Sequence, residues 1–164
     1  MPDELTTVFL DRDGTINVKA PEGDYVKSWE EFELLPGAVE AVRALRDAGL
    51  RVVIVTNQRG IALGRMTEDD LAEIHSRMLE QLGPVDAVYH CPHDEGECDC
   101  RKPLPGMLVR AAEEVPGVDL ARSVTIGDSE SDMEAGRAAG TRTLLIGRDA
   151  PSLAAAVEGL LRAV

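Results

Sequence analysis

Short apolar runs alternate along this chain with segments whose apolar residues return at helical spacing, and that alternation restricts the fold more than any other feature. Thr7 to Leu10 and the β-branched Arg51 to Val55 read as buried strands; Val85 to His90, Ser123 to Ile126 and Thr141 to Ile146 read as three more. Between them, Gly37 to Ala48 carries Val39, Val42 and Leu45 on one helical face, with Gly49 just past the end. Thr67 and Asp70 fit a capping box that opens a helix whose inward stripe is Leu71, Ile74, Met78 and Leu82. Further helices are expected from about Met107 to Val115, from about Asp132 to Ala139 with Gly140 as the stop, and after Ser152 as a cap. Strands that alternate with helices must pair in parallel through right-handed crossovers, which gives an open, doubly wound, Rossmann-like α/β sheet of about five strands. The 164 residues suit one domain spanning 1–164. From Ile16 to Leu35 Pro21 and Gly23 break any periodicity, with Pro36 just beyond, so mainly irregular structure lying over a ligand site is expected there.

Sheets of this kind bind ligands at the carboxyl ends of their strands. The polar clusters of the sequence fall at those places. Phe9-Leu10-Asp11-Arg12-Asp13-Gly14-Thr15 sets two carboxylates two residues apart where the first strand ends, and in extended backbone such residues face the same way. Paired carboxylates can divide the work of nucleophile and acid/base. An acidic turn or a calcium loop would use the same residue types, but an EF-hand-like loop needs a distal bidentate Glu and a Gly at its sixth position, and neither fits. Thr56 and Asn57 end the second strand in a loop containing Gly60 and Gly64. A hydroxyl and backbone N–H groups there can donate to phosphate oxygens, although taken alone the segment reads as an ordinary turn. Asp128 follows the fourth strand and can join Asp11 in holding Mg²⁺, a hard cation that takes carboxylate oxygens. Asp132 fits a helix cap as well as a metal role. Lys102, preceded by Arg101, can offset the charge of Asp11 and of a phosphoryl group.

All three cysteines fall within ten residues. Cys91, His93, Cys98 and Cys100 have the number and type of ligands that tetrahedral structural zinc takes, with no open position for catalysis. His90 is a competing ligand, a disulfide is the alternative, and His75 is expected to be solvated on the polar side of its helix. A formal net charge of −13 repels nucleic acid and anionic lipid, no apolar stretch approaches the roughly 20 residues that span a bilayer, and Met1 to Thr7 has no leader pattern. A cytoplasmic, monomeric protein that acts on a small molecule is expected.

The segments FLDRDGTIN, VTNQRGIALG, CPHDEGECDCRKPLPGM and IGDSESDM resemble, in order, the four motifs of haloacid dehalogenase phosphatases. More narrowly, the chain is similar to the compact zinc-containing group of histidinol-phosphate and D-glycero-D-manno-heptose 1,7-bisphosphate phosphatases. The resemblance implies Asp11 as nucleophile, Asp13 as acid/base and as Mg²⁺ ligand through its carbonyl, and Asp128 as Mg²⁺ ligand. It also implies Thr56 and Lys102 as phosphate binders and Cys91, His93, Cys98 and Cys100 as zinc ligands. The stretches Asn57 to Ile61 and Lys102 to Met107 lean toward the heptose enzymes, with a sugar phosphate as substrate, while Ser129 stands where both subgroups often carry a basic residue. The rival class is a non-catalytic, zinc-stabilised binding module. No large insertion follows the first or third strand, so no separate cap domain is expected.

Overall fold

The computed structural model describes residues 4–163. Its strands are β1 (Thr7–Leu10), β2 (Arg51–Asn57), β3 (Ala87–Cys91), β4 (Ser123–Gly127) and β5 (Arg142–Leu145). Its helices are α1 (Ala38–Asp47), α2 (Glu68–Leu82), α3 (Gly106–Glu114), α4 (Glu130–Ala139) and α5 (Leu153–Arg162). All strand pairs are parallel and the order is β3-β2-β1-β4-β5, so the doubly wound sheet is present as expected. The chain builds outward from β1 to β3, then crosses back to place β4 on the other side of β1. That reversal between β1 and β4 is the topological switch point.

Alternate residues of a strand face opposite sides of a sheet, and here both sides are covered. Val8, Leu10, Val52, Ile54, Val124 and Ile126 pack with α1, α2 and α5. Phe9, Val53 and Val55 face the other way, against Met107, Leu108 and Ala111 of α3 and Ala135 of α4. The capping box at Thr67 is formed, and the stripe Leu71, Ile74, Met78, Leu82 is the buried face of α2. Helix α4 starts two residues earlier than expected because its cap is Ser129, whose hydroxyl and backbone exchange hydrogen bonds with Asp132 in a second capping box. The third strand starts later than expected, at Ala87, since Asp86 uses its side chain to accept from the N–H of Val52.

The segment between β1 and α1 is irregular as expected, apart from a 3₁₀ turn at Trp29–Glu31. It is nonetheless anchored. Ile16, Val26 and Phe32 are buried in the core, Trp29 stacks on Phe32 with ring centres 5.1 Å apart, and Asn17 forms isolated bridges with Asp13 and Leu34. Among the described residues no insertion builds a second domain over the sheet, and no helix is long and apolar enough to cross a membrane. The expected domain over 1–164 includes Met1 to Asp3 and Val164, which lie outside the described residues.

Ile54 is fully buried in β2, in register with Leu10 on one side and Val88 on the other. Ile54→Ala should lower unfolding free energy by about 2–5 kcal/mol, through lost apolar burial and an unfilled cavity, as read from urea unfolding followed by circular dichroism.

Candidate active site

The backbone carries β1 one residue past its strand, where the N–H of Asp11 donates to the Ile126 carbonyl of β4 at 3.0 Å. Asp11 therefore stands at the switch point, and Asp128 follows β4 directly beside it. The turn out of β1 passes very close to Asp128. At Gly14, φ is +86°, and a Cβ there would lie 2.1 Å from Asp128 Oδ2, so only glycine gives both the turn and the approach. Carboxylate oxygens of Asp11, Asp128 and Asp132 all lie within 4.8 Å of one another.

A buried ammonium holds this group together. Lys102 Nζ donates to Asp11 Oδ1 at 2.8 Å, to the Val55 carbonyl at 3.0 Å and to Asp132 Oδ1 at 2.5 Å, which uses all three of its protons. Burial works against its charge, but Asp11 and Asp132 outweigh that and hold the lysine above its usual range. Its peptide is clamped in turn by Asn57, which accepts from Lys102 N–H at 3.0 Å and donates to the Lys102 carbonyl at 3.1 Å. Burial pushes the Asp11 carboxyl well above the usual range; Lys102 opposes this, and Asp132 and Asp13 add to it. So much desolvated negative charge around one lysine suits a divalent cation, whose binding would bring Asp11 back to its ionised form. Lys19 from the wall of the cleft supplies a further positive charge, 3.2 Å from Asp128 Oδ2.

Asp13 has a different setting. Burial would raise its pKa, but the Arg12 guanidinium and hydrogen bonds from Asn17, Arg12 and Gln58 prevail and hold it below the usual range. The order of the two acids is thus the reverse of what a nucleophile and a proton donor need, and a cation on Asp11 together with a phosphoryl dianion near Asp13 acts in the direction that restores it.

These side chains line an open cleft of about 360 Å³. Asp11, Asp13, Asn57, Arg101, Lys102 and Asp128 all reach it, and residues 19–26 form one wall, so the sequence-predicted ligand segment lies where expected. Arg101 Nη1 is buried without a hydrogen-bond partner, leaving a donor for an anion. Thr56 differs from expectation: its hydroxyl is buried below the cleft and accepts from Gln58 Nε2 at 2.9 Å. Gln58, Arg12 and Asn17 are site residues that sequence patterns did not single out, whereas Asp132, for which the sequence leaves a helix cap and a metal role both open, caps α4 and also accepts from Lys102. An Arg beside an Asp normally reads as a surface pair.

Cys91 ends β3, and its Sγ lies 3.0 Å from Cys100 Sγ, 3.4 Å from Cys98 Sγ and 3.4 Å from His93 Nδ1. Sulfurs at these distances are too far apart for a disulfide, at about 2.05 Å; four such ligand atoms around one point can hold a zinc ion. His90 is not part of the group, because its Nε2 pairs with Glu68 at 2.7 Å. The loop packs tightly onto α3: a Cβ on Gly106 would meet the Asp99 carbonyl oxygen at 2.3 Å. Arg59, in the loop after β2, pairs with Asp94 and ties the two loops together.

The sequence model for haloacid dehalogenase-like hydrolases matches residues 3–140. The chain belongs to that family. A D-glycero-beta-D-manno-heptose-1,7-bisphosphate 7-phosphatase of Yersinia pestis is 39% identical over 159 residues, 88% of this chain and 82% of that one. A D-glycero-alpha-D-manno-heptose-1,7-bisphosphate 7-phosphatase of Mycobacterium bovis is 41% identical over 132 residues, 77% of this chain and 69% of that one. The crystal structure of a D,D-heptose 1,7-bisphosphate phosphatase from B. bronchiseptica, complexed with magnesium and phosphate, superposes with a TM-score of 0.86 at 35% identity, covering 98% of this chain and all of that one. For this haloacid dehalogenase-like hydrolase the first and fourth motifs are the strand ends that meet at the switch point.

His75 corrects the sequence expectation. It is half-buried rather than solvated: its Nε2 lies 3.1 Å from Arg12 Nη1, and burial, then the charge of Arg12, lower its pKa from 6.5 to about 3. A folded-state pKa below the unfolded value means that the unfolded chain takes up the proton first. Stability carried by the neutral ring is therefore complete above pH 6.5 and is lost as pH falls toward 3. Between pH 7 and pH 5 urea unfolding should show a loss of up to about 2 kcal/mol from this group, and His75→Gln should remove that part of the slope.

Proposed function

We propose that this chain is a magnesium-dependent phosphomonoesterase that removes the 7-phosphate of D-glycero-D-manno-heptose 1,7-bisphosphate through an aspartyl-phosphate on Asp11. The observation that carries the reading is the Asp11 carboxylate held on Lys102 at the floor of an open cleft, with Asp128 within reach of the same cation. The names of the relatives support the substrate. Magnesium, when bound, would be held by the carboxylates of Asp11 and Asp128 and the Asp13 carbonyl, and would offset charge on the phosphoryl oxygens.

In the first transfer Asp11 attacks phosphorus and the bond to the sugar oxygen breaks, while the carboxyl of Asp13 delivers a proton to that oxygen. In the second, Asp13 takes a proton from water, whose oxygen attacks the aspartyl-phosphate and frees inorganic phosphate and Asp11. Arg101 and the side-chain amide of Asn57 donate to the phosphoryl group, Lys102 offsets its charge while holding Asp11 in place, and Thr56 supports the site from beneath through Gln58. No step asks for a base stronger than a carboxylate.

The cluster of Cys91, His93, Cys98 and Cys100 is read as a structural zinc site, since all four ligands come from protein and none is left for substrate. By bracing the loop that ends in Lys102 it keeps the ammonium in place. We read the chain as one monomeric, cytoplasmic domain that handles a sugar phosphate and neither nucleic acid nor membrane, in keeping with its net charge of −13.

Phosphate release should be assayed with both anomers of heptose 1,7-bisphosphate and with histidinol phosphate. A higher kcat/KM for a heptose ester is expected; preference for histidinol phosphate would overturn the substrate, and no magnesium-dependent release from any ester would leave a binding module. Asp11→Asn keeps the shape of the side chain but removes its nucleophilicity, so activity should fall below about one part in a thousand with the circular dichroism spectrum unchanged. Cys100→Ser should reduce bound zinc below one equivalent by elemental analysis and lower Tm by several degrees, since metal binding contributes directly to folding.

A further inference from the structure

Arg12 is a charged side chain with no exposure to solvent, at the base of the motif that carries Asp11 and Asp13. Its guanidinium is divided between two partners. Nη2 and Nε donate to Asp13 Oδ1 at 2.8 and 3.2 Å, while Nη1 meets His75 Nε2 at 3.1 Å, and the Phe32 ring centre lies 5.7 Å from the guanidinium carbon. A guanidinium can only donate, so the His75 nitrogen facing it must be the lone pair of a neutral ring that carries its proton on Nδ1. His75 stands on α2, beside the buried stripe of Ile74 and Met78, and the helix reaches the cleft through this contact rather than by lining it.

The consequence falls on Asp13. Its Oδ1 accepts three N–H bonds, two from Arg12 and one from Asn17 Nδ2 at 2.9 Å, whereas Oδ2 accepts only one, from Gln58 Nε2 at 3.1 Å. A carboxylate oxygen with three donors has no lone pair free for a proton, while one with a single donor has. We propose that His75 is a positioning residue for proton transfer: by anchoring the far edge of Arg12, it keeps the guanidinium fork on Asp13 Oδ1 and so directs the transferred proton to Oδ2. This rests on the phosphatase reading of the cleft and adds a residue that touches neither substrate nor metal.

The test uses full-length protein with magnesium and two esters. The leaving group of p-nitrophenyl phosphate departs without being protonated, whereas the alkoxide of glycerol 2-phosphate needs a proton. In His75→Ala the first turnover of p-nitrophenyl phosphate, seen as a burst of nitrophenol, should stay within about twofold of the unmodified rate. The following steady state, which needs Asp13 to accept a proton from water, should fall roughly tenfold or more, and the first turnover of glycerol 2-phosphate should fall alongside it. His75→Gln, whose side-chain oxygen can accept from Arg12, should recover both to within about threefold. Burst and steady state falling together, neither changing, or a Gln variant no better than Ala would each overturn the inference. An unmodified protein that releases no phosphate from either ester would overturn the phosphatase reading and this inference with it, whereas failure of the inference alone shows only in the variants.

Discussion

The buried ammonium of Lys102 is the interaction around which the site is organised. It brings Asp11, from the first strand, and Asp132, from the helix after the fourth, onto one nitrogen, with the Val55 carbonyl of the second strand as its third acceptor. Removing such a charge from water is costly, and leaving the carboxylates without it costs more, because two desolvated anions would then face each other. The arrangement is stable only with the full set of partners. That requirement is why three strand ends far apart in the chain must register to within a fraction of an ångström at the switch point.

Much of the remaining structure supports that nitrogen. Asn57 grips the Lys102 peptide from the end of the second strand, Arg59 ties the next loop to Asp94, and the Cys/His cluster closes the loop on which Lys102 stands. A loop of this composition, rich in Asp, Glu and Gly, buries little apolar surface and would not hold one conformation unaided. On the opposite side the segment between β1 and α1 is held by Ile16, Val26 and Phe32, and the same Phe32 lies against Arg12. One wall of the cleft is therefore stiffened by a cluster of metal-ligand residues and the other by the hydrophobic core.

Two residues show how a local pattern can be read correctly and still understate a role. Asp132 does cap a helix, as its position after Ser129 suggests, yet its second oxygen is a partner of Lys102. Ser129, where the resemblance leads to the expectation of a basic residue, supplies that helix cap. The opposite error occurs at His75. The polar flank of an amphipathic helix predicts a solvated ring, but Arg12, some 60 positions earlier in the chain, folds over to meet it. Thr56 is intermediate: its place at the end of β2 is as expected, while its hydroxyl faces Gln58.

The sequence by itself determined the strand and helix order, the parallel sheet, the capping box at Thr67, and which strand ends carry polar chemistry. Those features depend on residues within one turn or one strand of each other, so periodicity and spacing reveal them. The metal-ligand character of the cysteine cluster was legible for the same reason, because its four ligands lie within ten residues. Only the tertiary structure decided how Asp11, Asp128 and Asp132 share one point, which oxygen of Asp13 is left open, and that Arg12 and His75 belong to the site at all. Those outcomes depend on desolvation and on hydrogen bonds between segments dozens of residues apart. Their strength is set by the surroundings that the whole fold creates, which no local stretch of chain encodes.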